Sequence, residues 1–512
     1  MRAVLHAEWT KLRTVRGWMV ALACAAAAVV GLGLLTGGQG SCGRDGPQSE
    51  CVLPVGPEGQ EVTDNFTFVH RSLAGDGSIT VRLHGLTGRL PAKPGMGGPE
   101  PADGAPQVAE RGPGDGQPGL APWAKGGLII KDGTRPGSTY AAIMMTGAHG
   151  VRMQHDYVHD KAGRPGPATT PRWLRLTRAG ETITGEESAD GTTWTVVDKV
   201  RLPGLPATVE AGTFATSPQY TWILGGGRGV GGAMGGPSQV TAAFDSLGQQ
   251  GTWSGTTWTR STVGDDAEPA RPEQTGASFE VSGSGDIAPA VSGISGIGTT
   301  ISQTLAGTFA GLILVVVVAA MTMTAEYRRG LIRTTMAAVP RRARVLLAKA
   351  AVIGAATFVL GVLAAAVVIF FGQQVLRASG VYLHPATLGT EVRLVAGTGL
   401  LLAGAAVLAL ALGALLRRGL TAVVAGIVVI VLPYLLAMTV LPPEPAQWLL
   451  RVTPAAAFAV QQSAVTYPQV DDYPIPVNGY FPLPPWAGLA VLAGWAALIL
   501  GLAVFSLRRR DV

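Results

Sequence analysis

The stretch Glu326–Lys349, EYRRGLIRTTMAAVPRRARVLLAK, carries Arg328, Arg329, Arg333, Arg341, Arg342, Arg344 and Lys349 against Glu326 alone, and it lies between two long apolar runs. Lys and Arg are retained on the side of a membrane to which the chain is not translocated. The stretch therefore predicts a membrane protein with this segment on the cytoplasmic face. Two roles fit it: a topogenic loop that only sets orientation, or a docking surface for a soluble partner. Gly330 and Pro340 bracket LIRTTMAAV, a length suited to one amphipathic helix. Three other basic flanks already fix orientation, so seven basic residues here exceed what topology requires and favour docking.

Working outward, the 512 residues have a mean hydropathy of +0.32 and only 14% charged side chains, too apolar for an ordinary soluble protein. The net charge of +6 is modest, and the Arg residues cluster at the ends of apolar runs. That favours a membrane surface over nucleic acid. The apolar runs predict spans at 17–36, 304–324, 350–371, 394–416, 420–441 and 487–507, each long enough to cross about 30 Å at 1.5 Å per residue. Basic flanks at Lys11, Arg13 and Arg16, at 325–349, at Arg417–Arg418 and in the tail 508–512 place both termini inside. The apolar run after Gly17 is too long for the core of a cleaved signal peptide, which predicts a retained span.

The leader, 1–16, predicts an interfacial helix: Leu5, Trp9 and Leu12 share one face, while Lys11, Arg13 and Arg16 lie mostly off it. The alternative is a plain flank of the first span. Between the first two spans lie an extracellular linker (37–60), a polar insert (61–260) and a juxtamembrane linker (261–303). An oxidising compartment would allow a Cys42–Cys51 disulfide in the first linker. The insert carries ten short alternating runs, from FTFVH to TAAFDSL, which predict an antiparallel β-sandwich. A Gly/Pro-rich tract at 91–122 interrupts it as a loop. The loop 442–486 predicts short helices in the outer leaflet.

The insert offers little for catalysis. Glu186 and Glu187 are adjacent and would point to opposite faces of a strand. His155, Asp156, His159 and Asp160 have residue types that bind metals, but a solvated loop is the simpler reading, and no metal is predicted. The spans hold almost no ionisable residues and the chain has no G-x-x-x-x-G-K-[ST] phosphate loop, so energy for any transport must come from another subunit.

PWAKGGLIIKDG, PRWLRLTRAGETITGEESADGTTWTVV and AAFDSL resemble the concanavalin-A/LamG-like jelly-roll domains of carbohydrate-associated proteins. Within them, Ser188, Asp190, Gly191 and Trp194 resemble an Asp-box hairpin, in which Asp and Gly satisfy the turn and Trp packs beneath it. The leader AEWTKLRTVRGW, the 326–349 segment and the six-span layout together resemble the type-2 family of ABC transporter permeases, in particular actinobacterial members. That resemblance implies a permease in a bacterial cell membrane. Its partners would be a cytosolic ABC ATPase, which supplies ATP and Mg, and a second permease copy or paralogue, with membrane lipid around them. No cofactor would sit in this chain, and it would not itself be an enzyme. Glu326, Arg328, Arg329, Gly330, Arg333, Pro340, Arg341 and Arg342 would form the coupling segment, and Glu8, Trp9, Lys11 and Arg13 the interfacial helix. The insert departs from the minimal pattern of the family. A membrane-anchored protein that binds or senses an extracellular glycan is the alternative expectation, and a cell-wall glycosidase a more distant one.

Overall fold

Among the described residues, six helices have the length and hydropathy to cross a bilayer: Arg16–Leu35, Ile301–Arg328, Ala343–Ala378, Leu388–Leu416, Gly419–Thr439 and Pro485–Arg509. The computed structural model describes residues 2–35, 52–93, 116–224, 232–264, 271–273, 276–293, 298–330, 342–470 and 479–509. The fourth span is the centre of the bundle, 67% buried, whereas the first and sixth are peripheral at 22%. Small residues let the first two spans approach closely. A Cβ on Gly307 would stand 2.2 Å from the Val29 carbonyl oxygen, and one on Gly311 would stand 2.3 Å from a Val29 methyl.

The helical segments overrun the apolar runs that predict them. The third span extends a helix that starts at Arg342, so much of the basic stretch is a continuation of that span. The second span begins as a 3₁₀ segment, Ile301–Gly307. The fifth widens into a π-turn at Ile427–Val431, just before Pro433. A proline ring clashes with the carbonyl four residues earlier, and a widened turn accommodates it. The predicted outer helices are present as Pro443–Val452 and the 3₁₀ segment Pro454–Gln461.

The insert is a β-rich domain built on one 14-stranded antiparallel sheet. FTFVH and SITVRLHGL, expected as two strands, belong to one long strand, Phe66–Leu90. It pairs with Arg172–Ala179, Thr208–Thr216, Gln239–Trp253 and Trp258–Val263 along its length. The sheet folds over, so that Thr195–Arg201 and Val151–His155, far apart in hydrogen-bond order, pack against each other. Lys125–Lys131 and Tyr140–Thr146 are buried on both faces. Leu128, Ile130, Ala141 and Ile143 feed one core, whereas Ile129, Tyr140, Ala142 and Met144 feed a second.

Two lysines in this domain have no solvent contact. Lys125 Nζ donates to Asp286 Oδ1 (2.7 Å) and the Ile287 carbonyl (2.6 Å). Lys131 Nζ donates to Asp64 Oδ2 (2.8 Å), the Ser138 carbonyl (2.9 Å) and the Tyr157 hydroxyl (2.9 Å). Asp64 and Asp286 flank or belong to a two-stranded strap in which Val62–Asp64, the entry to the domain, pairs with Ile287–Pro289, its exit. Each buried ammonium is matched with a carboxylate, which is the condition for burying it, while Asp64 Oδ1 has no hydrogen-bond partner among the described residues.

Candidate functional site

The leader is a helix over Arg2–Thr14 that breaks at Val15 before the first span. Leu12 is buried, as the apolar face requires, but Trp9 is 45% exposed and Glu8 points inward at 4%. An acid takes the buried position because two lysines meet it there. Lys349 Nζ, at the start of the third span, stands 2.5 Å from Glu8 Oε2 and 2.8 Å from Glu326 Oε1 in the last turn of the second. Lys11 Nζ lies 2.9 Å from Glu8 Oε1 and 3.4 Å from Glu326 Oε1. Burial pushes the Glu8 carboxyl up, but the attraction of Lys349 and Lys11 outweighs it and leaves the group below the ordinary range. Burial pushes Lys11 down, and bonding to Glu8 and Glu326 more than reverses this.

These two acids and two bases form a neutral, mostly buried cluster that joins three elements. The elements are the leader and the two helices on either side of residues 331–341. A cavity of about 280 Å³ opens beside the cluster, bordered also by Trp18, Thr322 and Arg329. Glu326 Oε2 is buried with no hydrogen-bond partner among the described residues.

Arg328, Arg329 and Gly330 are exposed at the end of the second span, where Gly330 (φ +68°) terminates the helix in the left-handed conformation. Arg13 is exposed on the leader, and Arg342 opens the helix of the third span. Arg333, Pro340 and Arg341 lie outside the described residues, as do LIRTTMAAV and the cysteines Cys42 and Cys51. The sequence places Glu8 in the leader helix and Lys349 in the basic stretch but does not pair them. The signal available was an acid on the apolar face of the leader and a lysine at the mouth of an apolar run.

In the predicted hairpin, Asp190 Oδ1 accepts from the Thr192 and Thr193 amides at 2.8 Å each and from Ser188 Oγ at 2.9 Å. Those donors hold its carboxyl far below the usual range. Gly191 has φ +76° and faces the Trp173 ring. The ring packed against the turn is thus Trp173, whereas Trp194 carries the Arg175 guanidinium 3.6 Å from its centroid. In the His/Asp cluster the His155 and His159 rings stack at 4.3 Å, and Asp160 is engaged by Arg152 and Gln154. Among the described residues no group of three or more His, Cys, Asp or Glu is placed to hold a metal.

Another trio escaped the sequence pattern. His70 Nδ1 lies 2.6 Å from Glu210 Oε2, and its Nε2 lies 3.0 Å from Ser261 Oγ. The three stand on adjacent strands of one ladder, with His70 stacked on Phe68 at 4.5 Å and His70 and Ser261 each only 9% exposed. Such covered cross-strand contacts pin neighbouring strands together.

The β-rich domain is fastened to the helical bundle at the end opposite the ion cluster. Glu61 accepts from the Tyr382 hydroxyl and from His384 Nδ1 (2.8 Å), both in the turn between the third and fourth spans. Thr299 bridges Leu383, and Gln469 Nε2 donates to the Tyr157 and Val158 carbonyls at 3.0 Å each.

Neither a family model nor a curated protein matches the chain. Among solved structures, a functionally unknown protein from Saccharomyces cerevisiae aligns at 14% identity over 40% of this chain and 83% of its own, with a TM-score of 0.21. A complex of Scytalido-glutamic peptidase with a peptide-based transition-state analogue aligns at 9% identity over 44% of this chain and 100% of its own, with a TM-score of 0.20. At those scores neither likeness carries an argument.

Proposed function

We propose that this chain is the membrane-spanning permease subunit of an ATP-driven ABC exporter in a bacterial cell membrane, with both termini cytoplasmic and the β-rich domain outside. The observation that carries the reading is the Glu8–Lys11–Glu326–Lys349 cluster. It binds the leader to the helices on either side of the basic stretch, so a push on that stretch would move the leader and the second and third spans as one body. A separate cytosolic ATPase, holding ATP and Mg, supplies the push, and a second permease copy or paralogue completes the pathway. Rigid-body rocking of packed helices then alternates the access of the bundle. The exposed Arg328 and Arg329, the latter bordering the cavity, supply with the basic residues that follow a positive docking surface.

The six spans also weigh against a mere anchor, for which one or two would suffice. The ties of the β-rich domain to the turn at 382–384 and to Gln469 would let ligand binding on that domain reach the spans. Reversing the charges of Arg329 and Arg333 together tests the reading. Membrane insertion should persist, whereas co-purification of an ATPase and coupled ATP hydrolysis should disappear. Retention of both activities would remove the docking role.

A further inference from the structure

The three non-α segments of the helical bundle, among the described residues, gather near one cavity. Ile301–Gly307 and Pro454–Gln461 are 3₁₀ segments that line it, and the π-turn Ile427–Val431 ends three residues before Tyr434, which also lines it. Irregular backbone at membrane depth is tolerated where it borders a cavity, and π-turns concentrate at functional sites. The cavity measures about 220 Å³. A cavity of about 150 Å³ lined by apolar side chains accepts benzene, so this one has room for two fused rings.

Its walls are aromatic and uncharged. Phe309, Tyr434, Phe458 and Phe481 contribute rings, and among the described residues no Asp, Glu, Lys, Arg or His borders it. Tyr434 stacks on Phe458 at 4.2 Å, and Phe309 stands 5.5 Å from Tyr434. Phe309 and Phe481 are only partly buried, so ring surface remains open. Gln461 orients the polar side of the site. Its Nε2 donates to Thr308 Oγ1 (3.0 Å) and Thr398 Oγ1 (2.9 Å), both fully buried, which fixes the amide plane. Among the described residues neither Gln461 Oε1 nor the Tyr434 hydroxyl has a hydrogen-bond partner.

We infer that this cavity is a binding site for an uncharged aromatic amphiphile of about two fused rings. The rings stack among Phe309, Tyr434 and Phe481, and a hydroxyl on the ligand donates to Gln461 Oε1 or pairs with the Tyr434 hydroxyl. A charged ligand would meet no counter-ion among the described residues that line the site, which is costly in an apolar surrounding. Calling the bound molecule cargo rests on the permease reading, whereas binding itself does not.

The test is equilibrium binding of radiolabelled 2-naphthol to the full chain in phosphatidylcholine nanodiscs without an ATPase, with 2-naphthoate and 2-naphthyltrimethylammonium as competitors. The expected result is saturable one-to-one binding that neither charged analogue displaces. Tyr434→Phe, which removes only the hydroxyl, should weaken it about fivefold to tenfold. Met438→Trp, which fills the cavity, should abolish it. Uptake that does not saturate, or that both variants leave unchanged, is partition into lipid and overturns the site. Displacement by the ammonium at equal potency overturns the uncharged class, because aromatic faces also attract cations. Naphthol binding in a chain that recruits no ATPase would remove the permease reading alone, and ATPase recruitment without naphthol binding would remove the site alone.

Discussion

Replacing Lys349 by Met removes one charge and little volume from the cluster that joins the leader to the second and third spans. Lys349 is 10% exposed and holds Glu8 at 2.5 Å and Glu326 at 2.8 Å. At an effective dielectric of about 20, a pair 4 Å apart already attracts by about 4 kcal/mol before desolvation is counted. Without Lys349, two buried carboxylates share Lys11, which is 44% exposed and therefore screened. Breaking a buried pair from one side costs about 3–5 kcal/mol. Residual help from Lys11 sets the expectation at about 3 kcal/mol, all on the docking of the leader. The open population of the leader should then rise about a hundredfold. Limited trypsinolysis at Lys11, Arg13 and Arg16 in nanodiscs reads that population directly. Lys11→Met, which removes the exposed partner, should change the remaining cleavages less than about fivefold. The double variant Glu8→Gln with Lys349→Met should recover part of the loss, because it withdraws both members of the Glu8–Lys349 pair and leaves Glu326 with Lys11. Cleavage of Lys349→Met at the parental rate, or strict additivity in the double variant, would refute the reasoning.

The same assay has a pH signature. The lowered Glu8 carboxyl contributes stability above its ordinary value of 4.5 that is lost as pH falls through the folded value, and raised Lys11 contributes stability below 10.5 that is lost as pH rises through its own. Leader release should be flat between about pH 5 and about pH 10 and climb outside that window, and a midpoint near neutrality would contradict the assignment. Gly191→Ala places a Cβ at φ +76° and 2.8 Å from the Trp173 ring. It should cost the β-rich domain about 1–2 kcal/mol, read as a lower denaturation midpoint by tryptophan fluorescence, and an unchanged midpoint would contradict the hairpin packing. Glu61→Gln weakens the acceptor shared by Tyr382 and His384 and should speed amide exchange about tenfold across 379–387 while leaving the spans unchanged, whereas unaltered exchange there would show that the fastening lies elsewhere.

What could be read from the sequence was whatever repeats locally. Runs of apolar residues announce six spans because crossing a bilayer is a matter of length, and alternation announces strands because the pleat has period two. Contacts between distant segments leave no such trace. Trp9 looked like the inward residue of the leader on apolarity alone, yet Glu8 is inward because Lys349, 341 positions away, waits for it. Trp194 sits beside the Asp190 turn in sequence, but strand pairing brings Trp173 there instead. FTFVH and SITVRLHGL read as two strands because Gly75 and Gly77 interrupt the alternation, although one strand continues across the bulge between Ala74 and Gly77. The aromatic cavity joins residues 302–309, 434–438, 458–461 and 479–481, a juxtaposition that no periodicity encodes.

The strap made by Val62–Asp64 and Ile287–Pro289 has a consequence for how such a chain is assembled and remodelled. The polypeptide leaves toward the β-rich domain and returns from it side by side, so more than two hundred residues occupy the space of a hairpin at the bundle surface. The first two spans meet through Val29, Gly307 and Gly311 as closely as if a short turn joined them. The domain is attached as a graft is, through the stalk of its paired entry and exit strands. The buried Lys125–Asp286 and Lys131–Asp64 pairs sit where that graft joins its root, so the domain rather than the bundle carries the chemistry that keeps the stalk closed.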